Sequence, residues 1–239
     1  MRVSGSNGFT TVLATPAATT TSSQVAVFNG TTSQVDLGTI FRPTPTDKFV
    51  ISMWAKMADT PADGTLFGNQ EVSSPWKGLF FMWRPLSGDF ALQWGTNAGA
   101  TRTYIATSAQ VALSSSEFNH IVLIYDGANG ISLYTNGNLV TPTVNSGTVN
   151  SFTYVRNTLI GSGSDAQAFT GKIANVALGL GMSTTWDATD VAQLYALGRS
   201  GNLLSHAKSG DINHWYRLSG TTDDAKDSAP GTPTDITYE

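Results

Sequence analysis

Phe49-Val50-Ile51-Ser52-Met53-Trp54-Ala55-Lys56-Met57 is the segment from which the architecture can be read. Phe49, Ile51, Met53, Ala55 and Met57 fall at every second position, with Ser52, Trp54 and Lys56 between them, the period of a strand with one buried face. The same rhythm continues in Phe90–Trp94, Thr103–Thr107, Asn119–Tyr125, Ile131–Thr135 and Ile212–Leu218. Leu79-Phe80-Phe81-Met82-Trp83 is apolar on both faces, as a central strand between two layers would be. Turn signals separate these runs: Asn29-Gly30, Asn129-Gly130 and Asn136-Gly137 favour positive φ, and the last joins Ile131–Thr135 to Leu139-Val140 as a hairpin. Many short strands punctuated in this way predict an all-β fold, a β-sandwich of many strands. One helix interrupts it. Asp187 is its N-cap, Asp190 lies in its first turn, Val191, Leu194 and Tyr195 share a face, and Gly198 ends it; it is expected to cover one edge or end of the sandwich.

Composition narrows the function classes. Thirteen Lys and Arg against 17 Asp and Glu leave a net charge of −4, which argues against a nucleic-acid footprint. Polarity comes instead from 24 Ser and 32 Thr, which suit strands and turns. With no cysteine, a disulfide framework, thiolate zinc and a cysteine nucleophile are excluded. The first residues lack the apolar core of a secretory signal and no run is long enough to span a bilayer, so the chain is expected to be made in the cytoplasm, with no membrane insertion. Residues 1–23 read as an extended N-terminal arm whose anchors are Phe9, Val12 and Leu13, expected to dock on a neighbouring subunit. Residues 24–239 read as one domain, with 211–239 supplying a C-terminal strand that completes the sandwich.

Four segments carry a resemblance. They are Phe28-Asn29-Gly30 running to Val35-Asp36-Leu37, then Phe49–Lys56, then Phe118–Gly127 followed by Leu133-Tyr134-Thr135-Asn136-Gly137, and finally Phe169–Leu178. In this order they resemble the laminin G-like, concanavalin A-like jelly-roll family over about Val25 to Gly198, which implies a two-sheet antiparallel jelly-roll sandwich. His214–Leu218 with Asp227–Gly231 resembles a strand and loop that many members carry at their start; here it stands at the end, which is reasonable where the termini meet. Together with Leu204-Ser205-His206, this resembles members found in bacteriophage structural proteins.

The resemblance implies calcium in some members, held by the aspartate of that loop and an acidic pair. Asp227 matches the first, but Ala174 and Asn175 stand in place of the pair, too few oxygens for a hard cation. Asn29, Asn175 and Asp227 are the candidate metal ligands, and each also reads as a turn residue. Retaining glycan hydrolysis needs two carboxylates about 5 Å apart. The only glutamates, Glu71, Glu117 and Glu239, have no such partner in sequence, and no catalytic residue is assigned. His120, His206 and His214 show no metal spacing, and His120 reads as a structural mid-strand histidine. For glycans, Trp76 in Ser-Ser-Pro-Trp-Lys is the tryptophan expected to be exposed, with Arg84 and Arg102 as candidate partners; the competing reading has Trp76 capping a core that holds Trp54, Trp83 and Trp94.

These readings lead to a surface-displayed virion protein of a phage, a capsid decoration or fibre-type subunit. It would dock on other virion proteins through its arm, form a homo-oligomer and adhere weakly to cell-surface glycans. A free carbohydrate-binding lectin is the alternative, with a degenerate glycan-processing enzyme third.

Overall fold

The computed structural model describes residues 24–58, 63–84, 87–96, 100–107, 113–114, 116–163 and 167–239. The proposed arm, with Phe9, Val12 and Leu13, lies outside these residues. The strands are β1 (Ala26–Asn29), β2 (Gln34–Asp36), β3 (Phe49–Met57), β4 (Gly64–Gly68), β5 (Gly78–Arg84), β6 (Asp89–Thr96), β7 (Ala100–Thr107) and β8 (Asn119–Tyr125). They continue with β9 (Ile131–Thr135), β10 (Asn138–Val140), β11 (Val144–Ser146), β12 (Leu159–Ile160) and β13 (Thr170–Leu180). After helix α1 (Ala188–Leu197) come two short 3₁₀ turns, then β14 (His214–Tyr216), β15 (Thr232–Thr234) and β16 (Thr237–Tyr238).

They form two eight-stranded sheets in which neighbouring strands run antiparallel, a jelly-roll sandwich. The first has the order β10-β9-β8-β3-β13-β1-β16, with β14 also pairing with β13; the second has the order β11-β7-β6-β5-β4-β12-β2-β15. β3 behaves as its alternation predicts: Phe49, Ile51, Met53, Ala55 and Met57 all enter the core between the sheets. Phe49 lies at the centre of an aromatic cluster, edge-on to Phe41 and Trp94 at 5.5 Å and stacked on Tyr125 at 5.3 Å. Trp94 is fully buried and its indole nitrogen donates to Tyr154 Oη at 2.9 Å.

The other expected core tryptophans sit differently. Trp83 is half-buried at the margin of the core. Trp54 belongs to the outer face of the first sheet, where its ring stacks with His120 at 4.9 Å and with Tyr195 of α1 at 5.7 Å. β5 is internal to the second sheet, with Leu79 and Phe81 in the core and Phe80 half-buried on the alternate face.

The helix begins and ends as predicted. Asp187 and Asp190 form a reciprocal capping box, and Gly198 closes the C-terminus at φ 72°. Its position differs from the expectation of an edge or end, because α1 lies across the outer face of the first sheet. Val122 and Ile124 of β8 and Val50 of β3 point outward there, and Val191, Leu194 and Trp186 cover them as a second apolar cluster. A strand apolar on both faces needs a covering layer on each side. The hairpin at Asn136-Gly137 is present, with φ of 49° and 80°, both positive as a tight two-residue turn requires. The Ile212–Leu218 run shortens to β14; Ile212 joins the cluster beneath α1 and Leu218 enters the main core.

The two ends of the described chain, from Val25 and up to Glu239, are stitched into the sandwich. β15 extends the second sheet beside β2, β16 extends the first beside β1, and Val25 and Glu239 exchange backbone hydrogen bonds. Among the described residues no helix is long and apolar enough to cross a membrane.

Candidate functional site

The residues singled out for glycan contact do not converge. Trp76 is exposed, as expected, at the tip of the β4–β5 loop, which Glu71 and Lys77 close by a backbone hydrogen bond of 2.8 Å. Arg84 is at the far end of β5, roughly 20 Å away at about 3.3 Å per residue. Its guanidinium is engaged by Asp89 across the hairpin, with contacts of 2.7 and 3.0 Å, so its fork is occupied.

Arg102 is a correction. Its place opposite Trp94 turns it inward, and it is only 4% exposed. Its Nε donates to Asn129 O and its Nη1 to Ser146 O, both at 2.6 Å, while Nη2 bonds Asn145 Oδ1. The cation thus ties the β8–β9 turn of one sheet to β11 of the other, and burial lowers its pKa from the ordinary value.

The candidate metal ligands are also dispersed. Asn29 Oδ1 accepts from the backbone of Thr31, Thr32 and Ser33, which makes it a turn organiser. Asn175 lies inside β13 and accepts from Trp215 Nε1, whereas Asp227 lines a separate hollow with Leu180 and His214. The three are spread along the length of β13, since Asn29 pairs with Thr170 at its start and Leu180 is at its end. Among the described residues no three His, Asp or Glu side chains gather as a metal cluster would need.

The histidines each have a local structural role. His120 is buried, with Nε2 3.0 Å from Ser52 Oγ and Nδ1 lacking a hydrogen-bond partner; desolvation pushes its pKa down to about 3. His206 stacks on Trp186 and sits 2.9 Å from Asp190 O, and His214 pairs with Asp224 at 2.7 Å.

One place does gather chemistry, and it follows from the pairing of β13. Along one edge, β13 meets β1 through its first half, where Ala26 lies opposite Ile173, and β14 through its second, where Tyr216 lies opposite Val176. The break between these two neighbours falls at Asn175. There β13 carries a bulge, because Ala174 pairs with Trp54 and Ala177 with Ser52, three steps on β13 against two on β3. Asn175 takes φ 52°, a left-handed conformation that asparagine tolerates better than most residues. Its N–H donates to Arg217 O at 2.9 Å. The segment entering β1 brings Gln24 to this break, and the segment leaving β14 brings Arg217 and Ser219.

The turn after α1 forms the opposite wall with Arg199, Ser200, Gly201 and Asn202. Gly201 is required there, since a Cβ would lie 2.3 Å from Leu197 O. The resulting cleft has a volume of about 220 Å³. Arg217 lies over the Trp215 ring at 4.4 Å and Arg199 over Phe118 at 4.6 Å. No Asp or Glu lines the cleft, and neither arginine enters an ion pair among the described residues. The cleft can therefore donate many hydrogen bonds and accept negative charge. Of its residues, sequence reasoning had singled out Asn175, as a metal candidate. The missed residues come from three separate segments; the signal within reach was an asparagine interrupting an apolar strand, the mark of a bulge.

Comparison with known proteins agrees with the architecture. A laminin G family model described as the concanavalin A-like lectin/glucanases superfamily matches residues 29–179. No curated protein matches the chain in sequence. Among solved structures, a Bacteroides ovatus protein to which carbohydrate binding is ascribed aligns with TM-score 0.60 and 15% identity over 91% of this chain; the chain spans 60% of that protein's length. The CBM40 of the Ruminococcus gnavus IT-sialidase bound to α2,6-sialyllactose aligns with TM-score 0.53 and 16% identity, over 71% of this chain and 96% of that one. Domain 4 of AbnA, an extracellular GH43 arabinanase from Geobacillus stearothermophilus, in complex with arabinotriose, aligns with TM-score 0.52 and 17% identity, over 72% of this chain and 76% of that one. At such identities these likenesses speak to the fold. With the family model spanning well over half of the chain, on the same strands that build the sandwich, the protein belongs to the concanavalin A-like lectin/glucanases superfamily.

Proposed function

We propose that this chain is a non-catalytic carbohydrate-binding module. The observation that carries the reading is the cleft at the β13 bulge, where amide, hydroxyl and guanidinium groups from Gln24, Asn175, Arg199, Ser200, Asn202, Arg217 and Ser219 surround about 220 Å³. That is below the roughly 300–1,000 Å³ of drug-sized sites and suits a single sugar residue. Support comes from the similar structures, which include carbohydrate-binding modules with sugars bound. The glutamates needed for hydrolysis are placed apart: Glu71 in the β4–β5 loop, Glu117 before β8 and Glu239 beside Lys172. Neither the family nor the similar structures point to a virion, so the lectin reading takes precedence over the decoration subunit. Display in several copies would strengthen weak single-site binding through avidity.

A glycan array tests the proposal, with two variants run in parallel. Ser200→Trp, which fills the mouth of the cleft from an exposed position, should abolish binding without lowering the melting temperature. Trp76→Ala should leave binding intact. If Trp76→Ala removes binding and Ser200→Trp does not, the sugar site belongs to the β4–β5 loop, and an array with no binding at all would refute the module reading.

A further inference from the structure

We infer that the cleft at the β13 bulge selects an acidic sugar, holding its carboxylate or sulfate group between Arg217 and Arg199. The inference rests on the carbohydrate-binding reading and specifies its ligand class. It begins from charge accounting in an acidic protein of net charge −4. Three other cations are paired, Arg84 with Asp89, Lys208 with Asp190 and Lys172 with Glu239, while Arg42, Lys48, Arg102 and Lys226 donate to backbone carbonyls. Arg199 and Arg217 line the same cleft, and among the described residues no carboxylate lines it.

Both guanidiniums rest on aromatic rings, at 4.6 and 4.4 Å. Ring stacking orients a guanidinium and limits the side-chain freedom lost when a ligand arrives, but leaves its charge and N–H fork available to an anion. The cleft also lacks the usual means of holding a neutral sugar. Among the described residues Trp215 is the only aromatic one lining it, and that ring is covered by Arg217 and tied by Nε1 to Asn175. With no open aromatic platform, affinity must come from charge-assisted hydrogen bonds, the strongest of which arginine makes bidentately with planar or tetrahedral oxyanions. Asn175 and Asn202, whose Oδ1 atoms accept from Trp215 Nε1 and Leu204 N, line the same cleft beside the arginines.

The test is calorimetric titration of the full chain with matched glycans: one ending in glucuronate or N-acetylneuraminate, its carboxyl-reduced counterpart, one carrying a sulfated galactose, and its desulfated form. At least one acidic glycan should bind roughly tenfold or more tightly than its neutral match, with the advantage shrinking as salt is raised. Arg217→Gln and Arg199→Gln should each reduce that preference by about tenfold, with Arg217→Lys retaining part of it and the melting temperatures of all three close to wild type. Which acidic arm binds identifies the group. Equal affinity for acidic and neutral partners would overturn the inference and leave the carbohydrate reading standing, whereas failure of every glycan would remove both. An acidic preference that survives both glutamine substitutions would also overturn it, by placing the anion elsewhere.

Discussion

Replacing Arg102 by methionine tests whether a buried guanidinium fastens the two sheets together. The apolar stem is nearly conserved by the change, so the effect isolates the polar head. Four acceptors meet that head: Asn129 O and Ser146 O at 2.6 Å, Thr103 O at 3.3 Å, and Asn145 Oδ1. Hydrogen bonds to a charged partner contribute about 1.5–3 kcal/mol each, and a buried acceptor left without a donor costs about 1–3 kcal/mol. Removing the cation also relieves its own desolvation, which is why its pKa is lowered in the fold, so the terms do not simply add. The net loss should be about 2–4 kcal/mol, because the acceptors left behind are neutral and no unpaired charge stays buried. In a domain of this size it corresponds to a fall in melting temperature of roughly 4–16 °C. Urea unfolding followed by tryptophan fluorescence would measure the loss directly, and Arg102→Lys should recover part of it. A loss under about 1 kcal/mol would refute the fastening role. Reduced glycan binding by a variant of normal stability would instead return Arg102 to the binding surface.

Two further outcomes are expected. His120 has a folded pKa of about 3 against an ordinary value of about 6.5, so between these limits the unfolded chain takes up a proton that the folded chain refuses. Stability should be fully present above pH 6.5 and fall on acidification by up to about 1.4 kcal/mol per pH unit, and His120→Gln should flatten this slope in urea midpoints measured across the range. Because Asn29, Asn175 and Asp227 are spread along β13, EDTA should shift the melting temperature by less than about 2 °C, and a larger shift would reveal a bound cation.

Much of the sandwich was legible because it depends on local pattern. The alternation in Phe49–Met57 fixed which face of β3 enters the core, Asn136-Gly137 set a hairpin, and Asp187 with Gly198 bounded the helix. The position of α1 was also within reach, since Ile121-Val122-Leu123-Ile124 is apolar at consecutive positions and calls for cover on both sides. Arg102 was misassigned although its parity was visible: it shares a face with Tyr104 and Ala106, both core residues. The cleft was not legible in the same way. Gln24 and Arg217 meet because β1 and β14 abut along β13, and Arg199 joins them from the turn after α1, long-range placements that no local window contains.

The bulge that opens this cleft also sets how its floor can diversify. Ahead of it Ile173 faces the core; beyond it Val176 and Leu178 do, so the extra residue reverses the inward parity of the strand. Losing one residue here would bring Val176 two positions after Ile173, so that plain alternation keeps Val176 and Leu178 inward and the strand simply straightens. A one-residue deletion at the floor therefore removes the cleft while sparing the core, whereas a further insertion would turn the rest of β13 over. New ligand preferences should arise through side-chain exchange at the exposed Arg217 and changes of length in the 198–202 wall, whose backbone belongs to neither sheet, while Asn175 is held by its left-handed backbone and its bond to Trp215.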